Sequence, residues 1–261
     1  MPEPLPPMAI PERDYLEAFR TAGQHLQACM DASDATYTWI KQRPSKPAFA
    51  DLIFATGQHM YAVLLAAMSS QKKAENGTGV SASFEIPKRE HDLLLEECEN
   101  NHLEPVIFPL WLGIMQPLTT GWNLYSLTDM RPVTPGEEPD MPPVPMSEWE
   151  LLNFSVDQVV KELGEQKLQV LSCQDIPAIY PNLWFQDAEG NRAWVAVLPA
   201  FGTKHADIRI PAEVQTTHRR LQKSCAGYIA RIAVTSAEHP GAHPHRGELL
   251  TLSFGGLEKL P

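Results

Sequence analysis

The chain has 261 residues, of which 43% are hydrophobic and 20% charged, so it can form a sizeable core and is not typical of a disordered protein. Its formal net charge is −11. This charge disfavours general affinity for nucleic acid or for anionic membranes, because phosphate groups bind clustered Lys and Arg. It suits a basic protein partner, although many acidic proteins use such a charge only for solubility.

The cysteines and the N-terminus indicate a cytoplasmic protein. The four cysteines are widely spaced and form no C-x-x-C pair, which predicts neither a disulfide-stapled fold nor a zinc site. Residues 1–10 are Pro-rich and lack the basic and then apolar run of a signal peptide. No apolar stretch is long enough to span a bilayer, so we expect no membrane association.

Hydrophobic periodicity in the first half predicts a helix, a strand, a hairpin, a polar loop, a second helix and two further strands. Gly57 and Gln58 form the predicted hairpin turn, and the polar loop spans residues 69–83. Pro87 is expected to begin the second helix. The predicted helices and strands, in chain order, are 11–31, 36–41, 49–56, 59–68, 87–102, 105–112 and 122–127.

Six prolines between residues 131 and 146 predict a linker, which divides the chain into lobes at 1–130 and 147–261. Ser147 and Glu150 then form a capping box that begins a helix, and Gly164 is expected to end it. The elements predicted to follow are strands at 167–174, 183–186 and 193–199, a helix at 211–225, and strands at 228–236 and 249–254.

The two halves repeat the same order of elements and share local sequence. Ala50-Asp51-Leu52-Ile53-Phe54 matches Pro181-Asn182-Leu183-Trp184-Phe185, and Tyr61-Ala62-Val63-Leu64-Leu65 is aligned with Trp194-Val195-Ala196-Val197-Leu198. This alignment makes the second hairpin turn two residues longer than the first. We therefore predict an α/β protein with mixed sheets, formed by internal duplication of an αβββαβ unit and joined by the Pro-rich linker.

The order α-β-β-β-α-β resembles the core of the restriction-endonuclease-like family. The resemblance implies an acid at the start of the second strand and a Glu-x-Lys near the end of the third, which hold a divalent metal and orient the attacking water. Asp51 stands at the first acidic position in one copy and Asn182 in the other. Neither third strand contains Glu or Lys. The resemblance therefore implies catalytically degenerate copies.

Two local clusters offer other chemistry. His239, His243 and His245 could bind a transition metal through neutral imidazoles, although their spacing with two intervening prolines is more typical of a solvent-exposed hairpin loop. A basic stretch at 204–223 could contact nucleic acid or an acidic partner, or form a charged outer helix face. Its candidate binding residues are Arg219, Arg220 and Lys223.

The hypothesis that follows is a non-enzymatic, cytoplasmic protein-binding module that needs no cofactor. It would act as an adaptor, an inhibitor or an immunity-type protein that neutralises a basic toxin. The first alternative is a divergent metal-dependent nuclease that uses Asp51, Glu17 and Asp187. The second alternative is a nucleic-acid-binding protein that uses the basic stretch.

Overall fold

The computed structural model describes residues 10, 12–41, 50–68, 72–73, 80–81, 88–111, 113–139, 141–202 and 208–261. The chain divides into two compact units, residues 1–142 (unit 1) and residues 143–261 (unit 2). Each unit combines helices with a mixed sheet, so the predicted α/β class with two αβββαβ units is confirmed. In the described part of the chain, no helix is long and apolar enough to cross a membrane.

Unit 1 contains two helices and nine strands among its described residues. These are α1 (Glu12–Asp31), β1 (Thr38–Lys41), β2 (Leu52–Thr56), β3 (His59–Met68), β4 (Lys72–Lys73), β5 (Val80–Ser81), α2 (Lys88–Asn101), β6 (Glu104–Trp111), β7 (Gln116–Pro117), β8 (Leu124–Ser126) and β9 (Pro132–Val133). The main sheet has the order β1-β2-β3-β6-β8-β9, with β7 also paired to β6. Only β3 and β6 run parallel; the other described pairs are antiparallel.

The polar loop predicted at 69–83 contains a short ladder, because β4 and β5 pair with each other. The other residues of that loop lie outside the described residues, as does Pro87. One face of the main sheet packs against α1. The helix contributes a buried stripe at the spacing of an amphipathic helix, formed by Ala18, Ala22, Leu26 and Met30.

Unit 2 contains α3 (Glu148–Glu165), β10 (Gln169–Cys173), β11 (Leu183–Gln186), β12 (Arg192–Phe201), α4 (Ala212–Leu221), β13 (Ala226–Ser236) and β14 (Leu250–Lys259). Its strands lie in sequence order, from β10 to β14, and only β12 and β13 run parallel. Both units therefore consist of an antiparallel three-stranded meander, a crossover that contains a helix, a parallel strand and then antiparallel pairing.

The strand register corrects the alignment of the two halves by one residue. Leu52 pairs with Val63 in unit 1, and Leu183 pairs with Val195 in unit 2, so Val63 is equivalent to Val195. The sequence alignment placed Val63 opposite Ala196, which is wrong. A shift of one residue moves every side chain of a strand to the other face of the sheet.

The hairpin turns explain this correction. In unit 1, Gly57 and Gln58 join the paired residues of β2 and β3. In unit 2, the Asp187 N–H donates to the Asn191 carbonyl (3.2 Å), so three residues, 188–190, form the turn. The second turn is therefore one residue longer than the first, rather than the predicted two.

The core of unit 2 lies on both faces of its sheet. The face toward α3 contains Val195 and Val197, and the face toward α4 contains Trp194. Trp194 is fully buried and packs directly on Gly227 of β13, where a Cβ atom would lie 2.5 Å from Trp194 Cζ2. Only glycine at this position allows the indole to approach the strand so closely.

The C-terminus of α3 differs from the prediction. Gly164 lies inside the helix, the C-cap is Gln166, and Lys167 adopts the left-handed conformation (φ 60°). The Leu168 N–H donates to the Leu163 carbonyl at 2.9 Å, which gives the closing bond of a Schellman motif. Lys167 therefore occupies the position that glycine usually takes, which is why the sequence signal was misleading.

The Pro-rich segment 131–146 contributes to both units. Its residues Pro132–Val133 form β9, which pairs with β8 in unit 1. In unit 2, Pro145 forms an isolated β-bridge with His245. The predicted linker thus contributes backbone pairing to each unit.

Candidate functional site

Asp51 lies directly before β2, at the position where the nuclease resemblance expects an acid. Its N–H donates to the Val63 carbonyl at 2.8 Å. Its carboxylate accepts a bond from the Leu65 N–H (2.7 Å) and another from the Tyr15 hydroxyl (2.6 Å). Burial, followed by the negative charge of Asp51, raises the pKa of Tyr15. The hydrogen bonds of Asp51 therefore link the start of β2 to both β3 and α1.

Asn182 holds the equivalent place in unit 2 with the same geometry. Its N–H donates to the Val195 carbonyl at 3.0 Å, and its Oδ1 accepts from the Val197 N–H at 2.9 Å. The residue is almost fully buried. An amide thus makes the same strand-to-strand contacts as the carboxylate of Asp51, so this structural role does not require a negative charge.

The third strands present apolar side chains beside these two residues. Val63, Leu64 and Leu65 are all buried in unit 1. Val195, Ala196 and Val197 are all buried in unit 2. The positions where the resembled family carries Glu-x-Lys are therefore part of the hydrophobic core in both units.

Lys41, at the end of β1, is a polar residue that the sequence reasoning missed. It is buried, and its Nζ donates to the carbonyl of Ala50, the residue before Asp51, at 2.5 Å. The ammonium group is thus brought to the start of β2 from β1 rather than from β3. The sequence offers no local signal for it, since Ile40 and Lys41 are adjacent and both buried, and the register of β1 is irregular between Trp39 and Lys41.

The other two proposed catalytic acids, Glu17 and Asp187, have local surroundings of their own. Glu17 lies on the exposed side of α1. Asp187 belongs to unit 2, where its carboxylate accepts bonds from the side chain and N–H of Asn191, and these bonds lower its pKa. Among the described residues, no group of three or more His, Cys, Asp and Glu side chains is arranged to hold a metal ion.

The His-rich loop gathers two of its three imidazoles around one carboxylate. The Nδ1 atoms of His239 and His245 each lie 3.5 Å from Glu248 Oε1. The ring of His243 instead packs on Phe201, with centroids 5.1 Å apart. The loop is also less exposed than predicted, because Arg246 is almost fully buried.

A buried ion pair lies at the base of this loop and was not found from sequence. Arg246 Nε and Nη2 each donate to a carboxylate oxygen of Glu150 at 2.9 Å, and the exposed fractions are 2% and 0%. Glu150 Oε2 also accepts from the Ser147 N–H, which confirms the predicted capping box. The sequence identified Glu150 through its capping position, but it gave no signal for a partner 96 residues later.

His59 links the backbone near the C-terminal end of unit 1 to β6 by hydrogen bonds. Its Nδ1 lies 2.5 Å from Glu104 Oε1, and its Nε2 lies 3.0 Å from the Pro139 carbonyl oxygen. Burial lowers the pKa of His59, but the bonds to Glu104 and Pro139 and the charges of Glu104 and Glu138 outweigh burial and raise it. Both ring nitrogens can donate only in the imidazolium form.

We expect His59 in the folded chain to titrate above the ordinary histidine pKa of about 6.5. Since the pKa is raised on folding, its contribution to stability is fully present below about pH 6.5 and is lost as the pH rises through the folded pKa. An NMR titration of the imidazole measures this midpoint, and Glu104→Gln should lower it. A midpoint that does not respond to Glu104→Gln would contradict this assignment.

The basic residues singled out in the sequence lie at the C-terminal end of α4. Arg219, Arg220 and Lys223 are all exposed, and none forms an ion pair with a described carboxylate. Arg219 Nη2 donates to the hydroxyl of Thr216, one helical turn earlier, at 3.3 Å. Their charge also compensates the negative C-terminal end of the helix dipole.

An acidic surface lies on α2 of unit 1. Asp92, Glu96 and Glu99 are exposed at spacings of four and three residues, so they line one side of the helix, and Leu93 beside them is 37% exposed. Residues 1–142 carry 10 Lys and Arg against 19 Asp and Glu, a net charge of −9, whereas residues 143–261 carry 11 against 13, a net charge of −2. The negative charge is thus concentrated in unit 1.

Comparison with known proteins finds one family model that matches part of the chain. Residues 149–260, nearly all of unit 2, match the model of DUF8840, a domain of unknown function. No curated protein matches the chain. No solved structure matches it.

Proposed function

We propose that this chain is a non-enzymatic protein-binding module, an inhibitor or adaptor of the immunity type, that takes a basic protein partner on the acidic face of α2. In this proposal the two units are catalytically degenerate copies of a restriction-endonuclease-like core. The observation that carries the proposal is that Asp51 in unit 1 and Asn182 in unit 2 each accept a hydrogen bond from the third strand of their unit. The acid thus has a structural role that an amide fills equally.

The geometry at Asp51 supports a structural role over metal binding. A metal ion in a nuclease needs free carboxylate lone pairs from two or more acids. The oxygens of Asp51 accept hydrogen bonds from the Leu65 N–H and the Tyr15 hydroxyl, which orient its carboxylate toward β3 and α1 within the fold. The buried apolar residues of β3 supply no second acid beside it.

The acidic face of α2 supports the choice of partner. Like charges spaced three or four residues apart destabilise a helix by about 0.2–0.5 kcal/mol per pair, so the Asp92, Glu96 and Glu99 stripe does not stabilise α2. A basic partner would neutralise this repulsion, and the net charge of unit 1 would steer its approach. Leu93 offers an apolar contact beside the acids.

Affinity capture from the native host, with the full chain as bait, tests this proposal. We expect one stoichiometric, basic protein partner whose affinity falls at least tenfold in the variant E96K/E99K. The control E165K/E238K makes the same charge change at exposed positions of unit 2 and should retain the partner. Capture of no specific protein, or equal loss in both variants, would refute the proposed surface.

A divergent metal-dependent nuclease is the second candidate, and Lys41 is the observation that favours it. Its ammonium donates to the carbonyl of Ala50, the residue before Asp51, so a lysine nitrogen and an acid are both present at the start of β2. This candidate predicts DNA or RNA cleavage with added magnesium or manganese that disappears in both Asp51→Asn and Lys41→Met. Absence of metal-dependent cleavage would remove it.

A further inference from the structure

We propose that a groove beside α4 in unit 2 binds an acidic protein segment that carries an apolar side chain. The groove has a volume of about 370 Å³ and lies between Ile179 and Tyr180 on one side and Glu213 and Thr216 of α4 on the other. It uses none of the α2 residues of the proposed function and does not depend on that proposal.

The apolar wall of the groove is held in place. Ile179 is 51% exposed, although isoleucine favours burial. Gln174 fastens its loop, because Oε1 accepts from the Ile176 N–H (2.8 Å) and Nε2 donates to the carbonyls of Ile179 (2.5 Å) and Pro181 (3.0 Å). A fixed loop presents Ile179 to a partner with little further loss of conformational entropy.

The backbone of this loop is also strained. Ala178 has φ 62°, a conformation that residues with a Cβ atom adopt rarely. The strain accompanies the outward position of the next residue, Ile179. Ile179 is thus an exposed apolar side chain on a loop that its own hydrogen bonds hold in place, beside the first turns of α4.

The two ends of the groove carry opposite charges. Glu213 lies at the start of α4, and its charge, after burial, raises the pKa of Tyr180. Arg219 reaches the hydroxyl of Thr216 at the other end, and Arg220 follows Thr216 by one helical turn. An apolar side chain in the groove would therefore place a neighbouring acid of the bound segment next to Arg219 and Arg220.

The same polarity favours a protein segment over nucleic acid. A nucleic-acid strand repeats its phosphates along its whole length and needs a continuous positive track. Here Arg219 and Arg220 follow the groove at one end, whereas Glu213 would repel a phosphate at the other. A peptide with acids on one side of an apolar residue matches this distribution of charge.

Selection of a phage-displayed library of random 12-residue peptides on the immobilised full chain tests the proposal. We expect enrichment of peptides with Asp or Glu beside Leu, Ile or Phe. The affinity of the enriched peptide, made synthetically with a fluorescent label, should fall at least tenfold in R219E/R220E and in Ile179→Ser. Enrichment of peptides without acids, or no enrichment, would overturn the proposal.

Two controls isolate the groove. The variant K161E/R192E makes the same charge change at exposed residues of unit 2 and should leave the peptide affinity unchanged. The variant E96K/E99K should also leave it unchanged, so failure here is distinguishable from failure of the proposed function. A labelled single-stranded DNA 12-mer tests nucleic acid as the ligand. If the DNA binds more tightly than the peptide, and this binding is lost in R219E/R220E, the groove binds nucleic acid and the proposal is overturned.

Discussion

Replacing Arg246 by Met is expected to destabilise unit 2 by about 3–5 kcal/mol, because it leaves the carboxylate of Glu150 buried without its cationic partner. The wild-type pair is almost fully buried and is joined by two hydrogen bonds of 2.9 Å. Glu150 also caps α3 through the Ser147 N–H, so its displacement would weaken the helix start as well.

Hydrogen exchange measured by mass spectrometry can assign this loss to unit 2, since the two units need not unfold together. Peptides of β12 and β13 should lose protection in Arg246→Met, whereas peptides of β3 and β6 should not. The double variant E150M/R246M removes both charges and should recover much of the stability. A loss below about 1 kcal/mol in Arg246→Met would contradict the structural importance of the pair.

Asp51→Ala is expected to destabilise unit 1 by about 2–4 kcal/mol, whereas Asp51→Asn should cost less than about 1 kcal/mol. Alanine leaves the Leu65 N–H and the Tyr15 hydroxyl without their acceptor, and each such loss costs about 1–3 kcal/mol. Asparagine retains a carbonyl oxygen for Leu65, as Asn182 does for Val197 in unit 2.

Urea denaturation, followed by the exchange of β2 and β3 amides, measures both variants. Equal destabilisation by Asn and Ala would show that the charge itself is needed, against the equivalence of Asp51 and Asn182. If metal-dependent cleavage is found, its loss in a stable Asp51→Asn variant would assign Asp51 to catalysis.

Most of the fold was predictable because its signals are local. The capping box at Ser147 and Glu150 depends on residues three positions apart, and the apolar stripes of α1 and α3 repeat at helical spacing. Gly57 marked the first hairpin turn. The shared order of elements follows from these signals, and its origin by duplication stays a prediction.

The errors in the fold arose where backbone geometry, rather than residue type, decides the structure. The alignment of β3 with β12 was wrong because the length of the second turn depends on where pairing stops, at Asp187 and Asn191. The end of α3 was misplaced because Lys167, a residue with a Cβ atom, adopts the conformation usual for glycine.

The candidate sites were only partly predictable because their partners are distant in sequence. Composition located the basic residues Arg219, Arg220 and Lys223, which are exposed as their charge suggests. The pairs Glu150–Arg246 and His59–Glu104 join residues that only the tertiary structure brings together. Likewise, nothing in the local sequence marked Ile179 as an exposed side chain.

The separation between Glu150 and Arg246 has a consequence for biosynthesis. The two residues lie 96 positions apart. Because a ribosome adds about 5–20 residues per second, Arg246 is synthesised about 5–20 s after Glu150. Unit 1 is complete by then and can fold independently of this pair. Unit 2 can bury that carboxylate in its native ion pair only after Arg246 has been synthesised, so α3 cannot reach its native packing as soon as it leaves the ribosome.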